Sequence, residues 1–163
     1  TRFRNVTGVQ TCALPIYVQA LIVAEGIKNV RLLEQVPKGA LPEIFTLSDV
    51  GLVGFSKSPI FNYGISPNKM FDYLAHDLPV VLYCDSKNNP VVNSGGGFQT
   101  PAEDPAALAA AIRKLMSMTP DARREMGRRG KEYLAQNHNL SKTAAHYLEI
   151  AEEVSRARAS RPR

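Results

Sequence analysis

Cysteine is scarce in this sequence. Cys12 and Cys84 are the two in 163 residues, which fits neither a disulfide framework nor a zinc site and points to a reducing compartment. No apolar run approaches the roughly 20 residues needed to span a bilayer. The histidines, His76, His138 and His146, lack metal-ligand spacing. Neither a G-x-S-x-G turn nor a Walker sequence occurs, so those two routes to a nucleophile or a phosphate loop are closed. Internal repeats and low-complexity linkers are missing too. Charge is restrained, with 21% charged residues and a net +5, four of the arginines lying in the C-terminal SRARASRPR. That tail reads as a frayed end, with docking on acidic lipid as the alternative.

What is present suffices for a core. With 44% apolar residues, the chain matches one ordinary domain, or half of a two-domain enzyme. One segment stands apart: Val6 to Ile16, VTGVQTCALPI, resembles the conceptual translation of a sequencing adapter. Residues 1–16 are therefore read as extraneous to the evolved sequence. This leaves a domain over 17–150 and a basic tail over 151–163.

From Tyr17 the pattern is rhythmic. Val18 to Glu25 reads as a helix end stopped by Gly26. Val30-Arg-Leu-Leu33 reads as a short strand, and Leu41, Ile44, Phe45 and Leu47 give the next helix its apolar side. Asp49-Val-Gly-Leu-Val53 is the near-continuous apolar run of a strand buried on both faces. A helix and the strand Val80-Val-Leu-Tyr83 follow, then a short helix over Asn89 to Ser94, a break at Gly95-Gly-Gly97 and an edge strand Phe98-Gln-Thr100. Alternation at this spacing predicts βα units and a parallel sheet. The last third is helical: from Pro105 with Asp104 as N-cap, from about Pro120 to Gln136, and from about Ser141 to Arg156. The middle one carries Arg123, Arg124, Arg128, Arg129 and Lys131. A solvated face is the reading favoured over an anionic membrane surface.

The stretch GISPNKMFDYLAHDLPVV, beginning at Gly64, holds the sharpest signal. On a helical wheel with Ser66 at zero, Pro67, Met70, Phe71, Leu74 and Ala75 fall between roughly 40° and 180°. Asn68, Lys69, Asp72, Tyr73 and His76 take the polar side. Ser66 is the expected N-cap and Pro67 the first residue. Lys69 then sits at N3, where a capping box would place Glu or Gln. The helix start is already positive by roughly half a charge, so a cation there is disfavoured unless an anion binds. Backbone amides, the Ser66 hydroxyl and the Lys69 ammonium together form a phosphate cradle. Asp72, one turn on, either pairs with Lys69 on the surface or accepts hydrogen bonds from ribose hydroxyls.

This stretch resembles the donor-binding signature of glycosyltransferase family 4 and its GT-B-fold relatives, in particular those that build bacterial surface polysaccharides. NVRLLEQVPKGALPEIFTLSDVGLV before it and GGGFQTPAEDPAALAAAI after it agree in order, so the resemblance covers about Tyr17 to Tyr147. It implies an α/β fold with a Rossmann-like parallel sheet flanked by helices, the C-terminal half of a GT-B fold, truncated N-terminally. It also implies that Asp72 replaces the acidic residue, usually Glu, that holds the ribose. Gly64, Ile65, Ser66, Asn68 and Lys69 correspond to the diphosphate-binding segment, and Glu34, Gln35 and Val36 lie where the base is seated. Two departures stand out. Gly64 occupies the place of a glutamate eight positions before the ribose-binding residue, and Asp77 that of a helix-ending glycine, whose left-handed conformation aspartate tolerates.

The partners implied are a nucleotide-sugar donor, UDP-sugar favoured, and a glycan or lipid-linked acceptor, on the cytoplasmic side and in reach of the inner membrane face. No nucleic-acid partner, metal or other cofactor is expected: Asp-x-Asp, the mark of the metal-dependent transferase architecture, does not occur. The family's leaving-group Arg/Lys pair and its acceptor domain would precede Tyr17, so catalytic residues stay unassigned and the fragment is expected to be inactive alone. Two rivals remain open. A nucleotide-sugar epimerase shares the layout and would need an acid/base set facing the sugar. A non-catalytic binding module would make the Lys69–Asp72 pair incidental.

Overall fold

The computed structural model describes residues 6–7, 14–34 and 36–159. Among them, β1 (Val6–Thr7), β2 (Val50–Gly54), β3 (Val80–Tyr83) and β4 (Gly97–Thr100) form one sheet in sequence order, every neighbouring pair parallel. The helices are α1 (Leu14–Ala24), α2 (Leu41–Thr46), α3 (Asn68–Ala75), α4 (Pro90–Ser94), α5 (Pro105–Ser117), α6 (Pro120–Asn137) and α7 (Leu140–Ala159). Short 3-10 turns occupy Lys38–Ala40 and Pro59–Tyr63. The α/β parallel sheet expected from the sequence is therefore the architecture observed.

Strand periodicity sorts the core onto two faces. Val53, Val80 and Leu82 meet Phe45 of α2, Met70, Tyr73 and Leu74 of α3, and Val91 of α4. Val50 and Val81 meet Ala111 and Leu115 of α5 and Met126 of α6. Coverage of both faces explains why β2 and β3 read as apolar runs rather than as alternation. Each fully buried Val or Leu contributes about 1.5–3 kcal/mol by leaving water.

Helix starts follow their capping residues. Asn89, Asp104 and Thr119 each accept a backbone N–H in the first turn of α4, α5 and α6, from Val92, Ala107 and Ala122. Helix α1 ends before Gly26, whose φ of +59° is left-handed. Asp77 adopts the same conformation, φ +57°, after α3.

Three expectations fail. No strand forms over Val30–Leu33: the free edge of β2 is taken by Val6–Thr7, which leaves this segment irregular. Tyr73, placed on the polar side by the wheel, is fully buried, its ring edge-on to Phe45 at 5.3 Å. The buried arc of α3 is turned toward α2, so Tyr73 lies inside it and Ala75 is exposed. Arg123, read with the solvated face of α6, is buried.

The other α6 cations are engaged within the chain. Arg124 pairs with Asp121, Arg128 with Glu125 and Glu132, and Lys131 with Asp77 at 2.6 Å, while Arg129 donates to the Gly95 carbonyl. Helix α7 is exposed over residues 140–158. No helix among the described residues is long and apolar enough to cross a membrane. Residues 1–5, 8–13 and 160–163, parts of the expected extraneous segment and basic tail, lie outside the described residues.

Candidate functional site

In a parallel sheet the loops leaving the carboxyl ends of the strands share one rim, where ligands of open α/β folds bind. Here the rim comprises the loops after β2, β3 and β4, and side chains stitch them together. Buried Asn89 donates to Gln99 Oε1 at 2.9 Å and to the Ser86 carbonyl at 3.3 Å while capping α4. Gln99 donates in turn to the carbonyls of Cys84 and Ser86 at 2.6 and 2.7 Å. Asp85 Oδ1 accepts from Ala102 N–H at 3.1 Å, and Glu103 Oε1 accepts from Lys57 N–H at 3.0 Å. Glu103 sits at φ +59°, a conformation costing about 1–3 kcal/mol outside glycine, which its bridge to the β2 loop helps to hold. Burial pushes the Cys84 thiol above its ordinary range, so it is a poor nucleophile at neutral pH. These rim residues escaped the sequence reading. The available signal was Gln99, a polar side chain inside the expected edge strand.

Because Asn89 ties its own loop to Gln99 of β4 as well as capping α4, Asn89→Ala is expected to cost about 2 kcal/mol. Chemical denaturation would show this as a lower midpoint with an unchanged slope. A loss below about 0.5 kcal/mol, the range of ordinary surface changes, would mean the rim is not held this way.

The loop from β2 to α3 carries the sequence-predicted residues. Gly64 has φ +109°, a value only glycine adopts freely, and open space where a side chain would project. Ile65 packs on the core, and Ser66 and Asn68 are exposed. The expected cap is not Ser66. Pro67, at φ −77° and ψ 128°, is the N-cap and α3 begins at Asn68, because Pro67 keeps an extended ψ and delays the helix by one residue. Proline offers no side-chain acceptor, so no side chain caps α3, and the first-turn amides of Asn68 and Lys69 are left among the orphan donors of a helix start. Lys69 thus stands at the second helical position, half-buried, with Asp72 half-buried three residues on.

Among the described residues no ion pair joins Lys69 to Asp72, so the simple surface pair does not form. His76 Nδ1 lies 2.7 Å from the Asp72 carbonyl and its ring stands against Phe45, which leaves that histidine a structural part. Glu34 is exposed and Val36 half-buried in the irregular segment before Lys38. Neither is hydrogen-bonded to the α3 turn among the described residues. Gln35 lies outside the described residues. No group of His, Cys, Asp and Glu among the described residues could hold a metal ion.

A family model described as glycosyl transferase-like matches residues 6–149. The chain belongs to this family. The glycosyl transferase-like chain has no match among curated proteins. Its fold is similar to that of sucrose-phosphate synthase from Thermosynechococcus elongatus, with a TM-score of 0.68 and 18% identity. The likeness, one of fold at that identity, covers 87% of this chain and 34% of the synthase chain. The parallel sheet and its helices are thus a part of a GT-B-like architecture.

Proposed function

We propose that this chain is the donor-binding part of a retaining glycosyltransferase. It takes a sugar from a nucleoside diphosphate, UDP favoured, for a glycan or lipid-linked acceptor in surface polysaccharide synthesis. The observation that supports the reading best is the start of α3: an N-terminus without a side-chain cap, at the carboxyl rim, that adds a lysine to its own positive pole. An anion there would accept from the Asn68 and Lys69 amides, the Ser66 hydroxyl and the Lys69 ammonium. Open space at Gly64 lets the backbone approach it. Asp72 would accept from the ribose hydroxyls, and the Glu34–Gln35–Val36 backbone would meet the base.

Retaining transfer passes through a charge-separated state whose largest needs are a stabilised leaving diphosphate and a positioned acceptor hydroxyl. In this reading the helix dipole and Lys69 meet part of the first need, without a metal. Acceptor binding is assigned to other parts of a longer protein, and the chain alone is expected to bind donor without transferring sugar. In this reading the reaction takes place on the cytoplasmic side, in reach of the inner membrane face. Peripheral contact there would fall to the arginine-rich tail, since the described cations of α6 are engaged within the chain.

Calorimetry with UDP, GDP, ADP and pyrophosphate tests the site. Lys69→Ala is expected to weaken both UDP and pyrophosphate by about tenfold or more, the worth of a charged hydrogen bond. Asp72→Ala should weaken UDP and leave pyrophosphate unchanged. If no nucleotide binds up to millimolar concentrations, the reading falls and the binding-module alternative stands. If the longer protein binds donor yet transfers to no acceptor, the epimerase alternative gains.

A further inference from the structure

The 3-10 turn Pro59–Tyr63 presents apolar surface that the rest of the chain does not cover. Three residues per turn eclipse side chains three apart, so Ile60 and Tyr63 share one edge, 66% and 94% exposed. Phe61, between them, is half-buried with its ring centroid 4.9 Å from that of Phe55. The backbone beneath is fixed: Ser58 Oγ accepts from Ile60 N–H at 3.4 Å, and Gly64 N–H donates to the Phe61 carbonyl at 3.2 Å. The result is a held apolar ledge immediately before Gly64, at the entrance to the α3 turn.

We propose that Tyr63, with Ile60 beside it, is the platform for the sugar ring of the donor and so a specificity-determining element for the transferred group. The inference rests on the donor reading given above, and the order of groups in a nucleotide sugar supplies the direction. Ribose, two phosphates and sugar follow one another. With the ribose at Asp72 and the diphosphate at Asn68 and Lys69, the sugar extends away from α3, back toward residues 60–63. A pyranose offers a face of C–H bonds, and an aromatic ring offers a flat apolar surface whose negative face attracts them. Tyr63 would thereby discriminate among sugars by the shape of that face.

The test compares UDP with UDP-glucose and UDP-N-acetylglucosamine on the 163-residue chain, by NMR or calorimetric titration. Tyr63→Ala is expected to weaken at least one UDP-sugar by about tenfold while UDP binds as before, and Tyr63→Phe should keep the ring and the affinity. The side chain is exposed, so an unchanged thermal melt confirms that folding is intact. Equal weakening of UDP and UDP-sugars would overturn the proposal, because the ring would then hold the nucleotide. Unchanged affinity for both UDP-sugars in Tyr63→Ala would overturn it as well. Failure of the wild-type chain to bind UDP itself would instead remove the donor reading and this inference with it.

Discussion

Arg123→Ala is expected to lower stability by about 3 kcal/mol, read as a fall in Tm of roughly 6–12 °C for a domain of this size. Arg123 is 6% exposed. It donates to the carbonyls of Leu115 and Met118 at 3.3 and 2.7 Å, closing the C-terminal end of α5, and to Asp49 Oδ1 at 3.3 Å, just before β2. One side chain on α6 thereby holds a helix end and a strand start at the amino edge of the sheet. Truncation would take a donor from the Met118 carbonyl and a cation from beside the Asp49 carboxylate, while the Leu115 carbonyl keeps the Met118 N–H; losing one partner of such a cluster costs more than the contacts themselves were worth. The neighbouring Arg124 makes a contrast. Its pair with Asp121 is exposed on both sides, so Arg124→Ala should stay within about 0.5 kcal/mol. Arg123→Lys keeps the charge and loses the fork, and should recover part of the loss. Because the clamp lies at the opposite edge from the rim, UDP affinity of the folded fraction should not change. Equal melts for Arg123→Ala and Arg124→Ala would show that the clamp is not holding these elements.

What was legible in the sequence is what short stretches decide. The apolar runs of β2 and β3, the cap Asp104 and the stop at Gly26 all act on their own neighbours, and the structure places them where the pattern does. What was not legible depends on partners far away in the chain. Glu103 bridges to Lys57 across 46 positions and Arg123 to Asp49 across 74; nothing near either residue announces its partner. The Val30–Leu33 segment has strand-like composition, yet a strand needs a free edge, and that edge is taken. Tyr73 was misplaced because a wheel knows one buried direction, while α3 is packed by both the sheet and α2. The candidate site splits along the same line. Gly64 to Asp72 is one contiguous segment whose chemistry is local, apart from a start displaced by Pro67. The expected base-binding stretch Glu34–Val36 depends on long-range placement.

Gly127→Ala should destabilise the chain, although the same change in a helix interior ordinarily gains about 0.5–1 kcal/mol. The sign is set by what lies against the glycine. A Cβ at position 127 would overlap the Asp77 carbonyl and stand 3.2 Å from the Asp77 Cα. Both are backbone atoms, so no side chain can rotate aside. Three residues on, a Cβ at Gly130 would press on Leu74 and meet the Gly96 Cα at 3.5 Å, so α6 rests on α3 and on the α4–β4 turn through a smooth face. Forced apart, these elements should lose about 1–3 kcal/mol, the range of overpacking with a backbone shift. The effect should reach the rim. Helix α3 is eight residues long, about 12 Å, and a push at Asp77 moves a rigid rod whose other end carries Asn68 and Lys69. UDP affinity is therefore expected to fall together with Tm in Gly127→Ala, unlike Arg123→Ala. Asp77→Gly should not rescue the variant, since the obstacle is the carbonyl rather than the side chain. A Tm that holds or rises would mean that α6 does not seat against the end of α3, and the orientation of the α3 turn would then need a different cause.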